Sequence, residues 1–200
     1  MGYPGRPFSQ VDIVILPILT VPNPLLTQRA RPVRPDEFGE ALHKRMTDMA
    51  ETMYAAPGVG LAGPQVGDLR RILTCDLTED RDEDGRREKG KALFFMCNPQ
   101  IVAASKEQFR WEEGCLSVPE FWEYFERPRH VTVRFQDAHG ELQEIEISDY
   151  PSIIVQHEMD HLEGITLLDR VSRLKKGRYL KKVKKWQREQ ERVEAEEQAW

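Results

Sequence analysis

The sequence contains little cysteine, no long uninterrupted apolar run and no excess of positive charge. Its 200 residues include three cysteines, an odd number without the spacing of a disulfide framework, which favours a reducing compartment. The apolar stretch at 11–21 is interrupted by Asp12 and Pro17, so neither a secretory signal nor a membrane span is predicted. A net charge of -5 gives no general signal for nucleic-acid binding, and no DNA partner is expected. We expect a cytoplasmic protein that forms one domain over 1–200.

One short motif carries most of the chemical information, because residues 157–161 (HEMDH) have the form HExxH. On a helix, residues four apart share a face with Cβ atoms about 5–6 Å apart, so His157 and His161 can bind one divalent metal ion. Glu158 can then reach a water on that metal. HExxH also occurs by chance, and in that alternative one histidine is buried and hydrogen-bonded while the other is solvated.

A catalytic metal needs a third protein ligand, and the sequence after the motif does not supply one. Metzincin proteases continue HExxH to a third histidine, at the position where this chain has Leu167. A thermolysin-like site takes a glutamate from a following helix. Beyond Glu163, which adjoins the motif, the next glutamate here is Glu189 in a highly charged tail. We therefore expect the third ligand to come from upstream.

The cysteines are the most discriminating upstream candidates. Cys75 and Cys97 end apolar runs, where cysteine is usually a small buried hydrophobic residue. Cys115 differs because Gly114 and Ser117 bracket it, which suits a thiol on a backbone that another group approaches closely. Cys115 with the two motif histidines would leave the fourth metal position open. Three protein ligands and one open position are typical of a catalytic metal site. Three histidines are the other upstream candidates: His43, His130 and His139.

Three segments together resemble the signature motifs of the peptide deformylase family. They are residues 58–65 (GVGLAGPQ), 113–117 (EGCLS) and 156–161 (QHEMDH). The segments occur in the family's order and spacing, and the resemblance runs from residue 11 to residue 183. A glycine-rich loop alone would also suit a dinucleotide-binding fold, but no strand-forming run enters this one. The first motif departs from the family at Gly63, where a second alanine is usual.

The resemblance implies hydrolysis of the formyl group from N-formylmethionine at the start of a nascent polypeptide, with release of formate. It implies Cys115, His157 and His161 as metal ligands and Glu158 as the proton carrier between the water and the departing amine. One divalent metal per chain is implied. Thiolate and imidazole ligands suit Fe2+, Zn2+, Ni2+ and Co2+ alike. The resemblance implies Fe2+ as the metal in the cell, with the other three as substitutes.

The same resemblance assigns roles around the metal. The side-chain amide of Gln65 and the backbone N–H of Leu116 would stabilise negative charge on the formyl oxygen. Four further residues are expected to bind the substrate: Val59, Gly60, Gly114 and Ile153. Of these, Val59, Gly114 and Ile153 are expected to form the walls for the methionine side chain together with His157, and ordinary core packing is the alternative for those three.

Two functions of other classes stay open beside the deformylase. A zinc endopeptidase is disfavoured by Leu167 and by the lack of a suitable downstream glutamate. A metal-stabilised RNA-binding or ribosome-binding module without catalysis rests on the C-terminal segment, which has nine basic residues and no acid at 173–188 and five acids at 189–197. Similar deformylases carry a C-terminal helix that docks on the ribosome, so the resemblance implies such a contact for a helix at 172–200. The alternative is a helix packed on the body with solvated charges.

The pattern along the chain predicts an α+β fold. We expect a single compact catalytic domain with mixed or antiparallel β-sheets around a central HExxH helix, plus the C-terminal helix. A proline-rich extended segment at 1–35 precedes a helix that opens at 35–37 and buries an apolar stripe. Strands are predicted at 71–76 and 93–97, with β structure around Cys115 and a hairpin at 131–147. The charged stretch 79–91 is predicted to be an exposed loop, and the motif helix to begin near Tyr150 and Pro151.

Overall fold

The computed structural model describes residues 13–198, within which three α-helices and seven β-strands are found. The helices are α1 Glu40–Ala55, α2 Asp149–Leu162 and α3 Arg173–Gln198. The strands are β1 Gly60–Ala62, β2 Ile72–Asp76, β3 Leu93–Ala104, β4 Gln108–Cys115, β5 Val118–Pro128, β6 His130–Gln136 and β7 Leu142–Ser148.

The strands form two antiparallel sheets. Five strands pair in the order β1-β2-β3-β6-β7, and β4 and β5 form a separate hairpin. The predicted α+β class is therefore confirmed, with sheets that are antiparallel rather than mixed in the described part of the chain. Among the helices of residues 13–198, none combines the length and apolar character that crossing a bilayer requires.

Strand β2 lies between the two main apolar cores, which explains its complete burial. Leu73 and Cys75 belong to the core shared with α2, whereas Ile72 belongs to the core shared with α1. This alternation is the period of two expected for side chains on opposite faces of a strand. The predicted stripe of α1 is confirmed as core, since four of its members are at most 1% exposed: Leu42, Met46, Met49 and Met53.

Helix α1 begins later than predicted. Residues Pro35–Glu37 form a 3-10 turn, and the α-helix starts only at Glu40. The interruption lies at Gly39, whose φ of +121° is incompatible with a helix. The sequence therefore predicts a helix in this region correctly but places its start too early, because the chain changes direction at Gly39.

Strand β3 is longer than predicted and continues through Pro99 to Ala104. Asn98 adopts a φ of +52°, and the register with β6 shifts between Cys97 and Gln100. The Asn98 side chain accepts a hydrogen bond from Val33 N at 2.8 Å and donates to Gln136 at 3.0 Å. A bulge of this kind accommodates proline, which cannot donate to the ladder.

Three peripheral segments complete the molecule. Of the predicted extended segment, residues 13–34 contain one 3-10 turn and otherwise no helix, while residues 1–12 lie outside the described residues. Residues 79–91 are largely exposed and contain an isolated bridge between Arg81 and Arg87. Helix α3 packs on the body through Tyr179 and Val183, which share a small core with Val118.

Candidate active site

Helix α2 places the two motif histidines together. His157 and His161 lie one turn apart with ring centroids 5.2 Å from each other, and both side chains are buried. The helix is held in this orientation by its apolar face, since Ile154, Val155 and Leu162 are part of the core shared with the five-stranded sheet. The i, i+4 spacing therefore produces the convergence expected from the sequence.

Cys115, at the end of β4, completes the cluster. Its Sγ lies 3.2 Å from Nε2 of His161, and one donor atom from each of Cys115, His157 and His161 lies within 4.8 Å of the others. Among the side chains that the structure describes, this is the one group of three found close enough to share a metal ion.

The remaining upstream candidates lie elsewhere. His43 stacks on His139 at 5.6 Å between ring centroids, and His130 lies beside Glu107. Cys75 and Cys97 are fully buried in the two main cores. The structure therefore brings Cys115, and none of these five residues, to the motif histidines.

The donor set fits a divalent metal. Bond lengths for thiolate and imidazole imply a sulfur to nitrogen separation of about 3.6 Å around a tetrahedral ion, close to the 3.2 Å between Cys115 and His161. A second observation is the carboxylate of Glu158, whose Oε2 is buried without a hydrogen-bond partner. A buried, unpartnered carboxylate oxygen is rare unless a ligand, ion or water satisfies it. Three protein donors leave further positions for a water and a substrate.

Charge favours the same interpretation. Burial alone would raise the pKa of the Cys115 thiol, but the imidazoles of His161 and His157 lower it to about 5. Burial would lower the pKa of His157, but Cys115 and Glu113 raise it well above its ordinary value. Positive charge on the imidazoles therefore favours the thiolate form of the sulfur. A metal cation can take over that role and displace the protons.

Glu113 fixes the orientation of the His157 ring by a hydrogen bond on the side away from the cluster. Glu113 Oε2 lies 2.8 Å from His157 Nδ1, which leaves the other ring nitrogen for the cluster. Burial would raise the pKa of Glu113, but His157 and Arg127 lower it to about 2, so this group is a carboxylate. Arg127 donates to it through Nε at 2.6 Å and Nη2 at 2.9 Å. Such partners set the tautomer and basicity of a metal-binding histidine.

Glu158 occupies a tight and buried position beside the cluster. Burial raises its pKa to about 7, against the opposing effect of His157 and His161. Gly60 makes room for it, because a Cβ at Gly60 would overlap the Glu158 carboxylate. A carboxyl group with a pKa near neutrality can both accept and donate a proton at physiological pH.

Gln65 reaches the cluster from the glycine-rich loop. Ala62 N donates to its Oε1 at 2.7 Å, so its amide nitrogen points the other way, 3.7 Å from Cys115 Sγ and 3.2 Å from Ser117 Oγ. The departure at Gly63 has a steric reason, since a Cβ there would lie 2.5 Å from the carbonyl oxygen of Asp68. The loop thus needs glycine at this position and still holds Gln65 in place.

A cavity of about 490 Å³ opens beside these groups. Its lining includes Leu116, Cys115, His157 and Glu158 together with all four predicted substrate-contact residues: Val59, Gly60, Gly114 and Ile153. Leu116 lies in the turn between β4 and β5. The structure therefore brings every predicted site residue either to the cavity wall or, for Gln65 and His161, into contact with Cys115.

Sequence reasoning missed several residues of the site. Arg127 is 3% exposed and pairs with Glu113, and Trp111, Trp122 and Tyr150 line the cavity. Trp122 lies opposite Gly114 in the hairpin, and its indole occupies the space where a Gly114 side chain would be. A signal existed for Trp122, because a glycine paired with a large aromatic residue is a recognisable feature once the hairpin register is known.

The chain is similar to known proteins over most of its length. A sequence model of the family described as Polypeptide deformylase matches residues 15–177. A peptide deformylase from Erythrobacter litoralis is 42% identical over 191 residues, which cover 86% of this chain and 97% of that protein. A peptide deformylase from Desulfotalea psychrophila is 44% identical over 174 residues, covering 87% of this chain and 98% of that protein.

Solved structures agree with the sequence comparison. The crystal structure of a peptide deformylase from Ehrlichia chaffeensis has a TM-score of 0.77 and 35% identity, covering 88% of this chain and 99% of that one. A Met-Ala-Ser-bound peptide deformylase from Acinetobacter baumannii has a TM-score of 0.72 and 33% identity, covering 80% and 99%. With the motifs, the cluster and these similarities in agreement, the chain belongs to the peptide deformylase family.

Proposed function

We propose that this protein removes the formyl group from N-formylmethionyl nascent peptides and releases formate and a free amino terminus. The observation that carries the proposal is the convergence of Cys115 with His157 and His161 next to a buried glutamate and an open cavity. Three donors with a free approach from a cavity are typical of a catalytic rather than a structural metal site.

In this proposal Cys115, His157 and His161 hold one divalent metal, with Fe2+ as the metal in the cell and Zn2+, Ni2+ or Co2+ able to replace it. Bound there, the ion supplies the Lewis acidity that makes water a nucleophile at neutral pH. Glu113 keeps the His157 ring in the tautomer that presents its other nitrogen to the ion.

Glu158 moves the proton. Its carboxylate accepts a proton from the attacking water and then donates it to the amine nitrogen that leaves as the formyl carbon–nitrogen bond breaks. A pKa of about 7, raised by burial, supports both halves of this transfer. The space left by Gly60 keeps the carboxylate beside the cavity.

Gln65 and Leu116 stabilise the negative charge that grows on the formyl oxygen. The amide oxygen of Gln65 is held by Ala62 N, so its amide hydrogens are directed toward Cys115 and are available to an oxygen bound there. The backbone N–H of Leu116 is the second donor. Donors held in place before the reaction cost no reorganisation when the charge develops.

The substrate's methionine side chain occupies the apolar part of the cavity formed by Val59, Gly60, Gly114 and Ile153. Support for a peptide beginning with methionine comes from the Acinetobacter baumannii relative, whose structure has Met-Ala-Ser bound. The formyl group is the smallest acyl group, and a site that fits it closely would exclude an acetyl group by its extra methyl.

The two alternatives are less well supported. For a metzincin endopeptidase, Leu167 replaces the third histidine and is 3% exposed within the fold. A purely structural metal site would be closed by a fourth protein ligand. In the described part of the chain, the cluster instead offers three clustered donors and adjoins a cavity. Hydrolysis of the formyl group is therefore favoured over both.

Contact of α3 with ribosomal RNA is a separate part of the proposal, as is a cytoplasmic location. Tyr179 and Val183 bind the helix to the body, while Lys181 and Lys184 are exposed. The helix can thus pack on the domain and present positive charge at the same time. Such a surface attracts a polyanion with an affinity that falls as salt rises.

The central experiment is an anaerobic assay of formate release from a formyl-Met peptide, with and without a chelator. We expect the wild-type protein to be active, the chelated protein to be inactive, and Cys115→Ser to lose most activity because a neutral hydroxyl replaces a thiolate ligand. Cys97→Ala, which changes a buried thiol in the α1 core, is the matched control. Turnover that resists chelation, or a fully active Cys115→Ser protein, would reject the mechanism.

A further inference from the structure

A row of alternating charges connects His157 with the segment that precedes α3. His157 contacts Glu113, Glu113 pairs with Arg127, and Arg127 Nη1 donates to Asp160 Oδ2 at 2.9 Å. Arg170 then donates to both oxygens of Asp160, through Nε at 2.7 Å to Oδ2 and through Nη2 at 2.5 Å to Oδ1. These side chains, from four separate parts of the chain, thus form one continuous network.

The inner part of this network, Glu113 and Arg127, is buried, so the positions of these two side chains depend on the outer part, Asp160 and Arg170. Arg127 and Glu113 have side chains that are each only 4% exposed, so water cannot replace a lost partner. Two of the Arg127 donor nitrogens are used by Glu113 and the third by Asp160. Because a guanidinium is a rigid planar fork, the partner of its third nitrogen also fixes the direction of the other two.

The positions of Asp160 and Arg170 are set by the secondary structure to which each residue belongs or is adjacent. Asp160 lies on α2, one residue before His161, and Arg170 follows a 3-10 turn at Leu167–Asp169. The side chain of Asp169 closes that turn by accepting from Thr166 N at 2.9 Å and also pairs with Lys176 on α3. The position of Arg170 is therefore set by the start of α3.

The outer members of the network lie away from the cavity. Within the described part of the chain, the residues that line the cavity do not include Arg127, Asp160 or Arg170. These three side chains therefore do not touch a substrate that occupies it. The network provides a route by which Asp160 and Arg170 can affect the reaction through Glu113 and His157.

We propose that Asp160 and Arg170 are positioning residues that hold the Arg127 fork on Glu113 and thereby fix the His157 ring for metal binding. The inference rests on the proposed function. The inference extends the proposed function because it assigns a role to residues outside the site. It also connects the segment that precedes α3 with a proposed metal ligand. Hydrogen-bond partners of ligating histidines typically change metal affinity about 10–100-fold, and a residue two contacts further out is expected to have a smaller effect.

The test measures metal retention and steady-state kinetics on the same proteins. Protein loaded with Ni2+ is mixed with excess chelator and the rate of metal release is followed, for wild type, Arg170→Gln, Arg170→Lys and Asp160→Asn. Arg134→Gln is the matched control, because Arg134 also pairs with a carboxylate, Glu144, but on the β6–β7 surface. Thermal unfolding of each metal-free protein reports ordinary structural damage.

We expect Asp160→Asn to release metal a few-fold faster and Arg170→Gln about twofold faster, which is less than the typical effect of a direct hydrogen-bond partner of a ligating histidine. Arg170→Lys should recover part of the loss, since one ammonium replaces a two-point contact. The value of kcat should fall while KM stays within about twofold, because uniform substrate binding is untouched. In a Glu113→Gln background the Arg170→Gln change should have little additional effect.

Several outcomes would overturn the proposal. One is unchanged metal release and kcat in Arg170→Gln and Asp160→Asn, even with lowered thermal stability. Another is a full effect of Arg170→Gln that persists when Glu113 is already replaced. Failure of the proposed function is distinguishable, since it would appear as a wild-type protein that binds Ni2+ and does not release formate.

Discussion

Gly60 and Glu158 fit together so closely that the strand has no room for a side chain where the carboxylate lies. A Cβ at Gly60 would overlap the Glu158 carboxyl group, which is buried and has one oxygen without a partner. The glycine in the first motif therefore has a steric function. It preserves the space from which the glutamate faces the proposed metal ligands and the cavity.

Gly60→Ala is expected to displace the Glu158 carboxylate and reduce kcat by about a hundredfold, since a misplacement of about 1 Å can cost that much. The measurement is formate release with formyl-Met peptides, together with circular dichroism to verify folding. Gly177→Ala is the control, because a Cβ on this α3 residue meets nothing within 4 Å. Equal activity of both alanine variants would contradict the steric role.

Glu158→Gln is expected to inactivate the enzyme while stabilising the metal-free protein at alkaline pH. The loss of the proton carrier should cost about 10²–10⁴-fold in kcat. Because the folded-state pKa of Glu158 is raised to about 7, wild-type stability falls as pH rises from about 4.5 to 7. Removing this ionisation should stabilise the variant relative to wild type on the order of 3 kcal/mol above pH 7, and little at pH 4.5.

Chemical denaturation at pH 5 and pH 8 checks the second part of that prediction. A variant whose stability advantage is the same at both pH values would show that the carboxylate is not the source. A variant that keeps wild-type kcat would remove Glu158 from the mechanism altogether.

Gln65→Ala is expected to lower kcat about a hundredfold or more, since one donor to a developing oxyanion is typically worth about 2.7–4 kcal/mol. KM should change little because the interaction strengthens as the reaction proceeds. Ser117→Ala is an informative companion variant. It removes an oxygen 3.2 Å from the Gln65 amide nitrogen and should cost much less if the amide is held mainly by Ala62.

Glu113 should make the protein sensitive to acid. Its pKa in the folded protein is about 2, held there by His157 and Arg127 against the effect of burial. A lowered carboxyl pKa contributes stability that is complete above about pH 4.5 and is lost as pH falls toward 2. Glu113→Gln should remove this acid dependence, and it should destabilise the protein at neutral pH by about 3–5 kcal/mol because Arg127 loses its charged partner.

Unfolding midpoints measured between pH 2 and pH 7 test the role of Glu113. Glu144→Gln, in an exposed pair with Arg134, is the comparison and should have a small effect. A Glu113→Gln protein with the wild-type acid profile would assign the acid sensitivity to another group.

Replacing Lys181, Lys184 and Lys185 by alanine should weaken binding to ribosomes. If the lysines contact phosphates, the slope of log affinity against log salt should become shallower by about one per lysine. Three exposed basic residues outside α3 serve as the control set: Lys91, Lys106 and Arg134. Deformylation of a free peptide should be unaffected, and equal ribosome binding by both triple variants would exclude α3 as the contact.

Local patterns were enough to predict the elements that carry the cluster. The HExxH spacing defined one face of α2, and the glycine and serine around Cys115 indicated a thiol open to approach. The buried stripe of α1 followed from residues spaced three and four apart. In each case the information lies within a few residues of chain, where helix and strand geometry is fixed by the backbone.

The parts that could not be predicted depend on register and on contacts distant in sequence. Arg127 lies on β5 and reaches Glu113 only because the hairpin folds the two strands together. Asp160 and Arg170 meet after the turn that follows α2. The extension of β3 beyond Pro99 requires the bulge at the preceding asparagine, whose side chain is held by contacts distant in sequence. No periodicity within one segment encodes such partners.

The placement of Cys115 makes its sulfur vulnerable to oxidants. Its sulfur adjoins an open cavity and has a lowered pKa, so the atom proposed to hold the metal is also the one that peroxide attacks most readily. Oxidation as far as the sulfinic acid would be irreversible without dedicated repair. Such damage would remove one of the three proposed ligands, and the proposed deformylation would stop until the protein molecule is replaced.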